Sequence, residues 1–227
     1  MSSVQTPRGR GRPRKGIGPI GPVEPSKADQ ILDTALSHFA REGFDAASLR
    51  KIASDVGVHV ALIGHNYGSK DDLWRAVIDR VADQLASSLE AVPAYEAENL
   101  SKGIYLPQIM SHLVDIVCDT PHLAQFILRE VAQQDERFKH IFERLAKPIH
   151  DALLPGFQAS QPSVDGRPFD PNYLLFAFTG SIAMTVASRE MLACFSASAA
   201  SDETFREELK HTLIGGFGAI LRSRGTP

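Results

Sequence analysis

Cysteine is scarce in this chain: two in 227 residues, with one tryptophan and 7% aromatic content. Cys118 and Cys194 sit in apolar runs without the spacing of a redox or metal pair, so free buried thiols in a reducing compartment are expected. Long apolar runs are missing too. The longest, Leu174 to Ala187, ends at Ser188-Arg189-Glu190, short of the ~20 residues that a membrane-spanning helix needs. The N-terminus is basic and polar with no apolar segment behind it, which argues against a signal peptide. A soluble cytoplasmic chain without a membrane partner is the expectation. The eight histidines show no HExxH or Cys-His pattern, and there is no nucleophile motif or glycine-rich phosphate loop. No metal, no cofactor and no enzymatic activity are therefore expected. Strand-like alternation is nearly absent, whereas 43% hydrophobic content supports a sizeable core. The fold class that follows is all-α.

Charge is unevenly placed. The formal net charge is −3, yet the first fifteen residues contribute +5 from Arg8, Arg10, Arg12, Arg14 and Lys15, leaving −8 for the rest. A basic arm on an acidic body makes nucleic-acid contact a local matter. Residues 1–25 are rich in Gly, Pro, Ser and Arg and have little to bury, so they read as a disordered arm and linker. Within the arm, Arg10-Gly11-Arg12-Pro13 resembles the core of an AT-hook. Proline and glycine keep such a backbone extended, and the arginines Arg10, Arg12 and Arg14, with Lys15, would enter an A·T-narrowed minor groove. A solvated basic tail that adds only sequence-independent attraction is the alternative.

Ser26, with Asp29 three residues on, is a helix start. Ile31, Leu32, Ala35, Leu36, Phe39 and Ala40 keep helical spacing up to Gly43. The stretch Ser48 to Leu73 then reads as two short helices around a turn at Gly57, followed by the start of a third. Leu49, Ile52, Ala53 and Val56 share one face, and Leu62, Ile63 and Tyr67 pack back on them. That is the pattern of a helix-turn-helix, whose second helix enters the DNA major groove. His59, Val60, Ala61, Gly64 and His65 lie off the buried face of the reading helix, and His65 and Asn66 carry groups suited to base edges or phosphates. Ser48 either caps its helix or donates to a phosphate; Arg50 points away from the apolar face. Lys70 opposes the dipole of the next helix, which favours a phosphate contact over solvation.

Residues 26–75 resemble the DNA-binding domain of the TetR family of bacterial transcriptional regulators. The match runs through Ile31-Leu32, Ala35, Phe39, Gly43-Phe44, Ser48, Ile52-Ala53, Gly57-Val58 and Gly68-Ser69-Lys70 before Leu73. Two positions depart from it. His59 stands where the family has Ser or Thr, and Ile63-Gly64 replaces a Leu-Tyr pair whose tyrosine touches phosphate. Either Tyr67 and Lys70 take over that contact or the reading helix starts elsewhere. Six bases face seven acids across 26–75, so phosphate affinity must come from a few placed residues and from the arm.

From residue 76 on, a helical regulatory and dimerisation domain is expected. Leu73 to Leu89 forms a long amphipathic helix, and further helices cover Pro107 to Thr120, one from Pro121, Asp135 to Gln158 (kinked or divided by Pro148), Pro171 to Phe195 and Glu203 to Leu221. Residues 159–170 read as a polar loop. The resemblance implies a small-molecule pocket among these helices. Met110, Phe126, Phe138, Phe142, Tyr173 and Phe176 are candidates to line it, with His112 and Arg129 as polar groups; each aromatic has plain core as its alternative. It also implies a four-helix bundle between two subunits. Gly180, Ala183 and Ala187 supply a small-residue strip for it, and Leu209, Leu213 and Phe217 a stripe on the last helix. A homodimeric repressor released from operator DNA by a small-molecule effector is the leading reading. A ligand-independent activator or architectural binder of A·T-rich DNA is the alternative.

Overall fold

Ser26 opens the first helix with a reciprocal cap. Its hydroxyl accepts from the Asp29 N–H at 3.1 Å, while its own N–H donates to the Asp29 carboxylate at 3.2 Å. The Ser26 hydroxyl also donates to that carboxylate at 2.6 Å, and this bond first, with the Ser26 N–H, holds the Asp29 carboxyl below the usual range. The computed structural model describes residues 26–90, 106–133, 135–160, 163–164 and 167–222. Arg10, Arg12, Arg14 and Lys15 lie outside the described residues.

Helix α1 (Lys27–Ala46) bends at Gly43, whose φ of 82° only glycine adopts without strain. Phe44 beyond the bend stacks on Phe39 with ring centroids 6.0 Å apart. Helix α2 (Leu49–Val56) ends in a paired cap: Val58 N–H reaches Ala53 O at 2.9 Å and Gly57 N–H reaches Ser54 O at 3.0 Å, with Gly57 left-handed at φ 71°. This closure requires the positive φ, so glycine sets the turn. Helix α3 is Val60–Tyr67. Helix α4 (Lys70–Glu90) begins with a second reciprocal cap, Ser69 with Asp72 at 2.9 and 3.1 Å. Leu73, Trp74, Val77, Ile78, Val81, Ala82, Leu85 and Leu89 are all buried along it.

The remaining helices are α5 (Leu106–Asp119), α6 (Pro121–Glu130), α7 (Glu136–Ile141), α8 (Lys147–Ser160), α9 (Pro171–Ala187), α10 (Arg189–Ala193) and α11 (Asp202–Arg222). Pro121 occupies the first turn of α6, where its missing N–H is harmless. Between α7 and α8 the chain widens into a π-helical stretch, Phe142–Ala146, in which Lys147 N–H bonds back to Phe142 O. Pro148 follows directly and has no N–H to continue the ladder. The break expected at Pro148 is therefore a widened turn just ahead of it. The loop before α9 carries a two-residue antiparallel ladder, Ser163–Val164 with Arg167–Pro168.

Three expectations change here. The helix expected to reach Phe195 stops at Ala187, because Ser188 leaves helical geometry at φ −103°, ψ 17° and α10 starts anew. That break brings Cys194 to the surface, while Cys118 is half-buried; both are free thiols. The segment is not buried on most sides either: Tyr173, Phe176 and Met184 stand exposed. Among the described residues, no helix is long and apolar enough to cross a membrane.

The two halves share one core. Trp74 of α4 packs against Phe126 of α6 and His140 of α7, each with ring centroids 5.9 Å away. Helix α6 lies along α1, and Arg80 of α4 ties back to α1 through Asp29 O at 2.8 Å and the Asp33 carboxylate at 2.9 Å.

Candidate nucleic-acid interface

The helix-turn-helix is held from beneath by charge as well as by Ile52, Ala53 and Ile63. Buried His38 of α1 places one ring nitrogen 3.0 Å from Glu42 and the other 2.8 Å from Asp55 of α2. Lys27 Nζ donates to Val56 O at 3.3 Å, satisfying a terminal carbonyl of α2. These bonds fix α1 against α2 and so fix the angle at which α3 is presented.

His59, where the resembling family has Ser or Thr, caps α3 itself. Its Nδ1 accepts from Ala61 N–H at 3.2 Å, and α3 starts at Val60 as expected. Ala61, Leu62, Gly64, His65 and Asn66 are exposed on α3, as is His59. Leu62 and Val60 exchange the places expected of them: Leu62 is 37% exposed, and Val60 packs against the core. An eight-residue helix turns only about twice, so a shift of one position moves a side chain ~100° around it. Leu62 is thus a surface residue that the spacing argument missed, and its apolar neighbours Ala61 and Ile63 gave no signal of it. A Cβ at Gly64 would meet nothing within 4 Å, so that position leaves the α3 face flat.

Ser48 sits at the N-cap of α2 with no cap bond from its side chain, leaving the hydroxyl unspent. Arg50 is exposed and forms no ion pair among the described residues, whereas Lys51 lies 3.8 Å from Glu42. Tyr67 and Lys70 do not stand free for the phosphate contact expected of them. The Tyr67 hydroxyl donates to Ala28 O at 3.2 Å, and burial pushes its pKa up. Lys70 Nζ donates to Asp45 O at 2.9 Å and lies 4.9 Å from the Phe44 ring centre. A lysine at the start of α4 is awkward for that helix's dipole but favourable for the carbonyl end of α1.

The expected ligand residues scatter. Met110 and Phe126 are fully buried in the core, Phe138 and Phe142 stack on each other at the surface, and Tyr173 is 79% exposed. His112 donates through Nε2 to Ser88 O at 2.9 Å. Arg129 turns away from the later helices and donates to Ala40 O and Arg41 O of α1 at 3.2 and 3.0 Å. Of the eight, only Phe176 lines the apolar cavity of about 250 Å³ between α4, α5, α6, α8 and α9. Its walls are branched aliphatics such as Leu113, Ile116, Ile127, Leu145 and Ile182, with His150 and Thr179 as polar members. Sequence spacing pointed to aromatics; the wall is aliphatic because it is simply the inward stripe of five amphipathic helices. Helix α6 has two jobs: Leu123, Ala124 and Ile127 face this cavity, while Arg129 on the same helix grips α1.

The expected interface residues also divide. Leu209 and Leu213 are buried inside their own chain, and Phe217 meets Phe178 edge-on at 5.3 Å. Their stripe faces α5 and α9 of the same molecule, as the ties from Arg206 to Asp115 (3.2 Å) and Lys210 to Asp115 (2.8 Å) require. Gly180 is exposed, whereas Ala183 and Ala187 are half-buried. The uncovered apolar surface is instead Tyr173, Phe176, Gly180 and Met184 on α9, with Gly215 and Gly216 exposed on α11. A Cβ at any of these three glycines would meet nothing in this chain.

Residues 31–77 match the family model of bacterial regulatory proteins, tetR family. The chain is 29% identical over 140 residues to the HTH-type transcriptional regulatory protein RaaS of Mycobacterium tuberculosis, covering 61% of each. It is also 29% identical over 138 residues to the HTH-type transcriptional dual regulator CecR of Shigella flexneri, covering 55% of this chain and 60% of that one. The matched stretch thus spans about three fifths of these relatives' own length. In fold, it superimposes on a transcriptional regulator from Rhodococcus sp. Rha1 with a TM-score of 0.60 and 16% identity, over 87% of this chain and 97% of that one. Residues 31–77 thus carry a domain of the kind found in bacterial regulatory proteins of the tetR family, and the chain shares an all-α fold with the Rhodococcus regulator.

Proposed function

We propose that the protein is a homodimeric DNA-binding repressor whose hold on its operator is released when a small molecule enters the α4–α9 cavity. The observation that carries the DNA-binding part is the exposed face of α3, with Ala61, Leu62, His65 and Asn66 presented on a helix fixed by the Gly57 turn and the His59 cap. A helix of this size fits the major groove. There Asn66 and His65 would meet base edges and Leu62 a thymine methyl. Ser48 and Arg50, whose side chains have no partner among the described residues, would hold the flanking phosphates.

The uncovered apolar face on α9 and the open glycines of α11 support a symmetric dimer, which pairs two reading helices with two half-sites one turn apart. The cavity favours the ligand-responsive reading over a ligand-independent architectural one, because α6 both walls the cavity and grips α1. A ligand that repositions α6 would tilt the helix-turn-helix away from its half-site spacing. A seated dimer covers promoter DNA, which is the physical basis for repression.

Selection of bound sequences from random DNA tests the reading, and a two-fold-symmetric site is expected. Recovery of no preferred sequence would sink it. Deleting residues 1–20 should then weaken binding to the selected site and flatten its salt dependence by roughly 0.9 in log–log slope for each lost phosphate contact. Equal affinity and slope in a fluorescence anisotropy titration would remove the arm from the interface.

A further inference from the structure

The α4–α9 cavity has a chemical signature more specific than its place in the fold. Among its lining residues there is no Asp, Glu, Lys or Arg, and only His150 and Thr179 carry polar side chains. Both are already engaged. The Thr179 hydroxyl donates to Leu175 O at 2.9 Å, which leaves only its lone pairs. His150 has one ring nitrogen 2.8 Å from Asn172 Oδ1 and the other 3.0 Å from Asp151 Oδ1. Both partners are oxygens, so both ring nitrogens donate and His150 is held as an imidazolium whose charge is already spent on Asp151. Lys147 is paired with the same carboxylate, and Asp170 beyond Asn172 accepts from that residue's N–H and side-chain amide at 2.8 Å each. A carboxylate entering here finds no free cation and two neighbouring acids. An ammonium finds both carboxylates occupied and no acceptor in the wall beyond Thr179. Either charge would be stripped of water without compensation.

Size narrows the occupant further. A dry cavity of about 150 Å³ accommodates benzene, with six carbons. By that ratio, 250 Å³ takes about ten non-hydrogen atoms.

We propose that the cavity binds an uncharged, medium-chain aliphatic molecule of about ten non-hydrogen atoms, such as an alcohol, and discriminates against chains of equal length that end in a charge. The hydroxyl of such a molecule donates to the free lone pair of Thr179, and its chain replaces nothing but void against Ile116, Ile127, Leu145 and Ile182. This deepens the ligand-responsive reading above and rests on it for its regulatory meaning, but not for the binding itself.

The test is thermal shift and isothermal titration of the full chain with 1-decanol, decanoate and decylammonium, each kept below its solubility or micelle limit. Decanol should raise the unfolding midpoint with concentration and bind at least tenfold more tightly than either ion. Equal or tighter binding of decanoate or decylammonium overturns the proposal, and so does absence of decanol binding. Two independent filling variants, Ala183→Leu and Ile116→Phe, locate the site: each should weaken decanol binding at least tenfold. Parent-like affinity in a folded variant of either kind places the decanol elsewhere and refutes the assignment. Because the ranking is read on the protein alone, it stands or falls separately from sequence-specific DNA binding.

Discussion

The two halves of this molecule cap their helices alike but pack them differently. Side chains accept a helix-starting N–H at Ser26, His59 and Ser69 in the first half and at Asp135 and Asp170 in the second. Beyond Leu106, however, a π-helical stretch interrupts α7 and α8, α9 breaks at Ser188, and an apolar face of α9 stands uncovered above a cavity. The difference teaches that local chemistry sets helix starts in both halves, while the apolar stripe of α4 is covered and that of α9 is not.

The comparison can be attacked where the halves meet. Trp74→Ala removes the fully buried ring that α4 sets against Phe126 and His140, and it should cost ~3–5 kcal/mol in urea unfolding followed by circular dichroism. A loss below about 1 kcal/mol would mean the halves do not share a core.

Met184→Glu tests the dependence of the second half on a partner. Two carboxylates brought together at a symmetric contact repel by several kcal/mol, so if the chain pairs through α9 as proposed, light scattering should show a parent dimer and a monomeric variant at micromolar concentration. The helical signal of the first half should stay unchanged. A dimer that survives would place the interface elsewhere.

Arg129→Ala uncouples the halves more gently. It deletes two charge-assisted bonds to the α1 carbonyls, worth ~1.5–3 kcal/mol together with the cost of orphaning those groups. Operator affinity should become less sensitive to ligand, while ligand binding itself is retained. Unchanged coupling between ligand and DNA would show that α6 carries no signal.

The smallest effect concerns Glu130, only 2% exposed beside that arginine. Burial raises its carboxyl above the ordinary 4.5 despite the Arg137 guanidinium 3.4 Å away. A raised folded-state pKa means the folded protein holds the extra proton. Its contribution is full below the unfolded value and is lost as pH rises through the folded one. Relative to Glu130→Gln, the parent should therefore lose stability as pH rises above the ordinary carboxylate range. Parallel pH profiles for the two would contradict it.

How much was legible in the sequence follows the same division. Capping pairs, the Gly57 turn and the inward stripe of α4 act over three or four residues, so spacing alone located them. The exchange of Val60 and Leu62 escaped because a short helix carries too few turns to average out a rotational error. Arg129, Lys70 and Tyr67 looked free because their partners, the carbonyls of Ala40, Asp45 and Ala28, lie 25 to 89 positions away. Backbone acceptors leave no trace in side-chain pattern. The inward direction of Leu209 and Leu213 was hidden for a related reason: a stripe is equally apolar whether its own chain or a second copy covers it.

One residue pair constrains how this protein can drift. At Gly43 the backbone is left-handed, and a Cβ would stand 3.0 Å from the Arg129 guanidinium. A side chain at 43 would strain the bend whatever the space around it, and would press Arg129 where it holds the α1 carbonyls. Loss of Arg129 relieves the second cost but not the first. Among descendants of this sequence, position 43 should stay glycine even where position 129 has changed.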